Sequence, residues 1–428
     1  MATLSGAMRH VKLHLEQLLP EQLVLQLCRD IKHRWRKRVL DPAITVQLFL
    51  LQLLAGVAMT GLRHVSGISV TAQAICAAKM RLPLKLMMEL VRRSAASQAV
   101  EATWKGLRVF MADGMSFMTQ DTAALAKQYG KAKNHKGVGW GYPNPKLLAL
   151  MDLEGGFIQK VITLPWDRQE FTCLSRLFKS MGDAALMLGD RGLVSFAHLA
   201  MLMGLNIHGC FRLPRWQAVF GRGRKSRRKI KSLGRQDLLI RWRGSRCPSW
   251  LSKKRWASLA KQELVLRQIA FRVCRRGFRT QWAWIVTTLT DPKAYPAQDL
   301  IELYAKRWQI EVYFRDLKRT LDLSLISART LKGARKEILA FVLLYNLIRG
   351  VMKEAARQQG EEPERISFID ALRWLLWSEP GMPLPDLLVN PIRLRRAPAR
   401  RVKVARHRFP QLNASRQELS KPPCQAML

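Results

Sequence analysis

The stretch YAKRWQIEVYFRDLK, residues 304–318, is the most informative part of this chain, because on a helix its polar side chains form one stripe. At about 100° per residue, four of them share a face about 60° wide: Tyr304, Arg307, Glu311 and Lys318. An apolar stripe beside them would seat the helix on a core. The pattern fits an ordinary amphipathic helix with salt bridges, and equally a carboxylate held among groups that bind phosphate.

The net charge of the chain indicates which class of partner it binds. Its 428 residues are enough for two or three domains. Lysine and arginine number 73 against 31 acidic residues, which gives a net charge of +42. This excess predicts a polyanionic partner. With 48% hydrophobic residues the chain is a folded protein, and nucleic acid is the partner that fits best.

Targeting and redox signals are weak. The seven cysteines are scattered without a CxxC pair, which favours neither a zinc site nor a disulfide framework. The first residues lack the apolar core of a signal peptide, so we expect the protein to stay in the reducing cytoplasm. The uncharged run 42–62 is long enough to span a bilayer, but it contains Thr45, Gln47 and Gln52. We therefore expect a buried helix there and no membrane segment.

The sequence pattern of residues 1–103 predicts a helical N-terminal domain that binds DNA. Helical patterns cover 20–35 and 44–59, and a shorter helix is expected over 70–81, capped by Ser69 or Thr71. Two short helices around a glycine turn, the second ending in Lys79 and Arg81, are compatible with a helix-turn-helix. A plain helical bundle fits the same pattern, and the two alternatives stay open.

From residue 107 the pattern changes to strands. The predicted order is three strands, helix, strand, helix, strand, over 107–112, 146–151, 157–164, 171–180, 184–189, 195–203 and 206–213. This is the order of an α/β fold of ribonuclease H type, which places the ends of its first and fourth strands side by side. Asp113 and Asp190 stand at those two ends.

The remaining segments complete the predicted organisation. The core is expected over 104–213 and 282–330, a β-rich insertion over 214–281, and C-terminal helices with a basic tail over 331–428. The insertion contains a loop with eight Lys or Arg between Arg222 and Arg235. Such a run is a solvated loop or, given the overall charge, a contact to phosphates. Another eight lie between Arg393 and Arg408, where we expect a flexible arm on DNA.

Three carboxylates can meet in this fold although they are distant in sequence. Asp113, Asp190 and Glu311 would repel one another unless cations lie between them. Two Mg²⁺ ions are the usual solution, and such a pair supports in-line phosphoryl displacement. Hydrolysis and strand transfer use the same apparatus and differ in the nucleophile.

The spacing of Tyr304, Arg307, Glu311 and Lys318 matches the YREK signature and resembles the insertion-sequence-4 type of DDE transposase. The segments MADG and LGDRG resemble the two aspartate motifs of that family, and the likeness covers about residues 35–410. It implies that Asp113, Asp190 and Glu311 bind two Mg²⁺ ions, with Mn²⁺ as a substitute. It also implies phosphate contacts by Tyr304, Arg307 and Lys318, beside which we expect Arg191 to contact DNA.

Members of this family that cut and paste DNA pass through a hairpin with a base flipped onto a tryptophan. Trp284 lies 20 residues before Tyr304, at a place suited to base stacking. We expect Trp282 and Trp284 to point to opposite faces of their strand, with Trp284 towards DNA and Trp282 in the core. Trp308 could brace DNA or pack internally.

The resemblance implies a transposase that binds terminal inverted repeats, cuts both ends and joins them to target DNA as a homodimer. One departure is Met115, where a small hydroxyl residue is expected within two positions of the first aspartate. Two alternatives remain: a domesticated DNA-binding protein without catalysis, and a ribonuclease H-like nuclease that only hydrolyses.

Overall fold

The protein is described by a computed structural model that covers residues 19–36, 38–96, 104–133, 139–273, 281–378 and 382–391. The basic tail predicted over 393–408 lies outside the described residues, as do the first 18 residues of the helical N-terminal domain.

The N-terminal part is helical. Its described helices are α1 (Glu21–Asp30), α2 (Pro42–Ala55), α3 (Leu62–Ser66), α4 (Ala72–Arg81) and α5 (Leu84–Ala96). Helix α2 begins where the Asp41 carboxylate accepts the backbone N–H of Ile44, and it ends at Gly56 in the left-handed region. Most of α2 is buried, as expected from its apolar run. No helix in the described ranges is long and apolar enough to cross a membrane.

Helix α4 is capped by Thr71, whose hydroxyl accepts the backbone N–H of Ala74. Its Lys79 turns inward, with the ammonium 3.7 Å from the centre of the Phe49 ring and hydrogen-bonded to Gln52. Burial lowers the pKa of Lys79 to about 8. Of the two basic residues that suggested a DNA-reading helix, Lys79 is therefore half-buried and held against α2.

The centre of the fold is a mixed sheet. Its first five strands are β1 (Arg108–Ser116), β5 (Lys146–Asp152), β6 (Ile158–Leu164), β7 (Ala185–Gly189) and β8 (Ile207–Leu213). They lie in the order β6-β5-β1-β7-β8, with β1 antiparallel to β5 and parallel to β7. This is the ribonuclease H-like arrangement that the sequence predicted, and the α/β fold class is confirmed.

The segment predicted as a β-rich insertion continues the same sheet. Beyond β8 lie β13 (Gln281–Thr287), β12 (Glu263–Val273), β11 (Asp237–Arg243), β10 (Arg227–Gly234) and β9 (Gly223–Arg224), so that ten described strands form one sheet. The prediction of a loop between Arg222 and Arg235 is wrong for most of its length. Backbone pairing with β11 makes the basic residues an exposed strand.

Helices cover both faces of the sheet. One core lies between the sheet and the N-terminal helices together with α11 (Leu331–Gln359) and α12 (Phe368–Trp377). The other lies under α7 (Phe196–Met203), α8 (Lys253–Ala260) and the 3₁₀ turns Glu170–Arg176 and Phe178–Ser180. The smaller described elements are β2 (Met118–Thr119), α6 (Ala123–Tyr129), β3 (Lys131–Lys133), β4 (Gly139–Pro143) and β14 (Leu325–Ile326).

Candidate metal and DNA site

Two aspartates lie side by side at the centre of the sheet. In the parallel pair of β1 and β7, Ala112 lies opposite Gly189. Asp113 follows Ala112 in the sequence, and Asp190 follows Gly189. The Asp113 side chain is 33% exposed, and its Oδ1 accepts the backbone N–H of Gly114 at 2.8 Å. The sheet therefore brings together the two carboxylates that the sequence placed 77 residues apart.

The segment 297–320, whose residues 304–318 were expected to form one helix, changes its winding three times. It runs as α9 (Ala297–Ala305), a 3₁₀ turn (Lys306–Trp308), α10 (Gln309–Arg315) and a π turn (Asp316–Thr320). A uniform 100° per residue is therefore wrong for this stretch, because 3₁₀ and π turns rotate each residue differently. Even so, its polar residues reach the sheet at successive points.

Tyr304 and Arg307 attach this segment to the aspartate strands. The buried hydroxyl of Tyr304 donates to the carbonyl oxygen of Gly189 at 3.3 Å, directly before Asp190. Arg307 is 4% exposed, and its Nη1 lies 3.7 Å from Oδ2 of Asp113. Its Nε is buried without a hydrogen-bond partner. Since a buried donor without a partner costs stability, this guanidinium is suited to an incoming phosphate oxygen.

Lys318 and Glu311 complete the stripe. The Lys318 Nζ donates to the carbonyl oxygen of Ser116 at 2.8 Å, at the end of β1. Glu311 lies on α10 and is exposed. Met115, where the family pattern favours a hydroxyl, is buried in the core.

Electrostatics link the three carboxylates. Burial raises the pKa of Asp113, the backbone N–H of Gly114 and the charge of Arg307 lower it, and the charges of Asp190 and Glu311 raise it further. One oxygen of Asp190, Oδ1, is buried and has no hydrogen-bond partner.

These groups fit a divalent cation, because hard carboxylate oxygens are the ligands that Mg²⁺ and Mn²⁺ prefer. In the part of the chain that the structure describes, no three His, Cys, Asp or Glu side chains form a group that could hold a metal ion. The three carboxylates therefore influence one another electrostatically, but their side chains are not close enough together to form a complete set of metal ligands.

A cavity of about 720 Å³ is lined by Arg191, the residue that follows Asp190 in the chain. Its walls include Arg191, Arg212, Phe220, Trp282 and Trp284. The expectation that the two tryptophans face opposite sides of β13 is wrong, because side chains two residues apart lie on the same face of a strand. The buried residue between them is Ala283.

Trp284 is the more enclosed of the pair and packs edge-on against Phe220, with the ring centres 5.7 Å apart. Sequence reasoning missed Phe220 and Arg212. Arg212 carried a detectable signal, since it is a charged residue in the apolar strand β8, whereas the segment around Phe220 offered none.

Trp308 lies in the 3₁₀ turn and is 57% exposed, which excludes internal packing. The Arg307 guanidinium lies 5.4 Å from the centre of its ring. This cation–π contact holds the indole at the surface beside the aspartate site.

Comparison with known proteins assigns the family. Residues 104–347 match the family described as the transposase DDE domain. The transposase InsG for insertion sequence element IS4, from Escherichia coli strain K12, is 26% identical over 335 residues, which cover 74% of this chain and 71% of that protein.

Two further similarities are more limited. The putative transposase InsZ from the same strain is 28% identical over 153 residues, so the match spans 34% of this chain and half of that protein. A cryo-EM structure of the piggyBac transposase synaptic complex with hairpin DNA aligns with a TM-score of 0.44 and 8% identity, over 88% of this chain and 80% of that one.

The family match covers more than half of the chain and includes both aspartates, the two strands that bear them and the YREK helix. Membership makes the protein a transposase, an enzyme that binds and cleaves DNA with the help of divalent metal ions. The chain belongs to the DDE transposases of the insertion-sequence-4 type.

Proposed function

We propose that this transposase binds the terminal inverted repeats of an insertion sequence, cleaves the DNA ends and joins them to target DNA. The observation that supports it most is the register of β1 and β7, which sets Asp113 beside Asp190 under the helix that carries Glu311. In cleavage a water molecule attacks the phosphorus and a DNA 3′-OH leaves. In strand transfer that 3′-OH attacks a phosphorus of the target, and the P–O bond to the target's own 3′ oxygen breaks, so that a target 3′-OH leaves.

We assign Asp113, Asp190 and Glu311 as the metal ligands and Mg²⁺ as the metal, with Mn²⁺ as a substitute. The unpartnered Oδ1 of Asp190 and the like charges around Asp113 support this assignment. When bound, a pair of such ions activates the attacking oxygen and stabilises the leaving oxygen.

Tyr304, Arg307 and Lys318 are assigned to the phosphates beside the scissile bond. Arg307 supplies an unpaired, buried donor, and Lys318 supplies an ammonium at the end of β1. Tyr304 holds the last residue of β7 in place through its hydroxyl, so we expect it to position the site as well as to contact DNA.

We infer that cleavage uses a hairpin with a base flipped into the cavity lined by Arg191 and Trp284. Trp284 offers an aromatic face there, Phe220 supports it edge-on, and Arg191 lines the same wall. Exposed Trp308 is placed to brace the DNA outside this cavity.

Strand β10 supplies a further electrostatic contact. Its residues from Arg228 to Lys231 are exposed at the far end of the sheet, and we propose that they contact DNA phosphates without reading sequence. We also propose that the active species is a homodimer that holds both DNA ends at the nucleoid.

The test is metal-dependent cleavage of a duplex oligonucleotide that carries the inverted repeat flanking the gene. We expect Asp190→Ala to abolish cleavage and to keep DNA binding. Asp183→Ala, an exposed aspartate that follows Gly182, is the matched control and should cleave normally. Equal turnover by the Asp190→Ala protein would refute the assignment, and absence of strand-transfer products would indicate a nuclease.

A further inference from the structure

A second basic site lies in the N-terminal helical part of the molecule. A cavity of about 430 Å³ is enclosed by residues 33–36 and 38–42, which include the start of α2, and by the end of α4. Four arginines line it: Arg34, Arg36, Arg38 and Arg81. We call this cavity the arginine cleft.

The guanidinium groups of the arginine cleft are not neutralised. All four side chains are exposed, and none has an ion pair with a carboxylate of the described residues. The cleft has one acidic wall residue, Asp41, and its carboxylate already accepts the backbone N–H of Ile44 as the cap of α2. Unpaired arginines around a cavity are the arrangement that binds phosphate oxygens.

The end of α4 is arranged so that Arg81 is free for a ligand. The last carbonyl oxygens of a helix attract cations, and a terminal arginine often serves them. Here Lys336 of α11 donates to the carbonyl oxygens of Lys79 and Met80, at 3.0 and 2.7 Å. Arg81 is therefore not needed at the helix end and lines the cleft instead.

The floor of the arginine cleft is apolar and partly aromatic. Leu40, Pro42 and Leu82 form it, and Trp35 stacks on His33 with the ring centres 6.1 Å apart. This floor presents no row of donors and acceptors that could read base edges. The cleft therefore has the chemistry to hold a DNA backbone without distinguishing its sequence.

We propose that the arginine cleft is a binding site for consecutive phosphates of duplex DNA. It joins parts of the chain that are distant in sequence, so it holds the DNA backbone only when residues 34–36 and 38 are packed beside α4. This inference rests on the proposed function, because it adds a sequence-independent anchor to an enzyme that must also hold a specific DNA end.

The experiment measures binding of the full-length protein to a 30-base-pair duplex of arbitrary sequence, by fluorescence anisotropy at several salt concentrations. If each of two arginines contacts one phosphate, Arg36→Gln/Arg81→Gln should weaken binding about 60-fold at 0.1 M salt. The slope of log K against log salt should fall in magnitude by about 2. The loss should be equal for duplexes with and without the inverted repeat.

Two further variants test whether the effect comes from the positive charges of the arginine cleft or from the total positive charge of the protein. Arg36→Lys/Arg81→Lys keeps both charges and should restore most of the slope. Arg357→Gln/Arg373→Gln removes two exposed arginines of α11 and α12 and should leave the slope unchanged. A melting temperature equal to that of the wild type excludes misfolding of the glutamine variant.

The outcomes distinguish this inference from the proposed function. If the wild type cleaves the repeat duplex and the glutamine variant binds DNA with an unchanged slope, the arginine cleft is not a phosphate site and the function stands. If the slope of log K against log salt falls in the glutamine variant but the wild type neither cleaves nor joins DNA, the phosphate site is supported and the proposed function is refuted.

Discussion

The buried guanidinium of Arg307 lies 3.7 Å from the carboxylate of Asp113 and ties the glutamate-bearing segment to the first strand of the sheet. The contact joins residues 194 positions apart, on elements that local sequence cannot bring together. Its distance is that of a loose ion pair, and Nε of the same guanidinium has no partner. Arg307 thus balances Asp113 and keeps donor capacity for DNA.

Replacing Arg307 by alanine should reduce single-turnover cleavage about 100-fold, the usual cost of removing one donor to a developing charge. The reason is twofold, since Asp113 loses its counter-charge and the phosphate loses a donor. Rates are compared with DNA at saturation, so that weakened binding does not contribute. Arg319→Ala, at an exposed position of the π turn, is the control, and an unchanged rate in Arg307→Ala would contradict the role.

Replacing Trp284 by alanine should lower the yield of hairpin product. Stacking of one base on an aromatic ring contributes about 1–3 kcal/mol, so the expected loss is about 5- to 150-fold. Trp282→Ala is the matched control in the same cavity, where Trp282 is engaged by Arg272 at 4.9 Å. A larger effect at Trp282 than at Trp284 would reverse the assignment.

Stability should fall in acid because of His198. Burial lowers its pKa from 6.5 to about 4, against a smaller opposing effect of the Leu193 carbonyl. Between pH 6.5 and pH 4 the histidine is therefore protonated in the unfolded state and neutral in the folded state. Its contribution to the free energy of unfolding is complete above pH 6.5 and is lost as the pH falls towards 4. The loss is about 1.4 kcal/mol per pH unit, or about 2 kcal/mol at pH 5.

Urea unfolding of the wild type and of His198→Gln at pH 7.5 and pH 5 measures this loss. Other groups titrate in both proteins, so the difference between them isolates the histidine. The wild type should lose more stability than the variant. If both proteins lost the same stability between pH 7.5 and pH 5, His198 would be protonated in the folded protein at pH 5.

Arg349 is a buried charge whose removal should destabilise the fold. Its Nε donates to the carbonyl oxygen of Gly155 at 2.7 Å, and its guanidinium lies 4.7 Å from the ring centre of Tyr313. Its charge lowers the pKa values of Asp152 and Glu364, which burial raises. Arg349→Met should cost about 3–5 kcal/mol, because it leaves those carboxylates without their cation.

The control for Arg349 is Arg357→Met on the same helix, α11. Arg357 is exposed and pairs with Glu354 at the surface, so its loss should leave the stability nearly unchanged. Thermal or urea unfolding measures both variants. Equal stabilities of the two variants would show that Asp152 and Glu364 do not depend on the charge of Arg349.

The core strands were predictable because their signals are local. Apolar runs that end at Asp113 and Asp190 identify two strands, and the turn at 152–156 identifies the hairpin between β5 and β6. Periodicity and turn residues act within a few residues, so they can be read from the chain itself.

Other features depended on partners distant in sequence. The basic run from Arg222 became a strand because β11 offers it hydrogen bonds, and no propensity of its own residues indicates that. Lys79 is half-buried because it contacts Phe49 and Gln52, although a lysine at the end of a short helix resembles a surface residue.

By itself the sequence determined the family, the three carboxylates and the cations of the YREK stripe, because residue types and spacing are properties of the chain. Only the tertiary structure decided the register that sets Asp113 beside Asp190 and the changes of winding that direct Arg307 and Lys318 to β1. It also formed the arginine cleft. These contacts join residues tens to hundreds of positions apart, and sheet pairing and core packing, not local preference, select them.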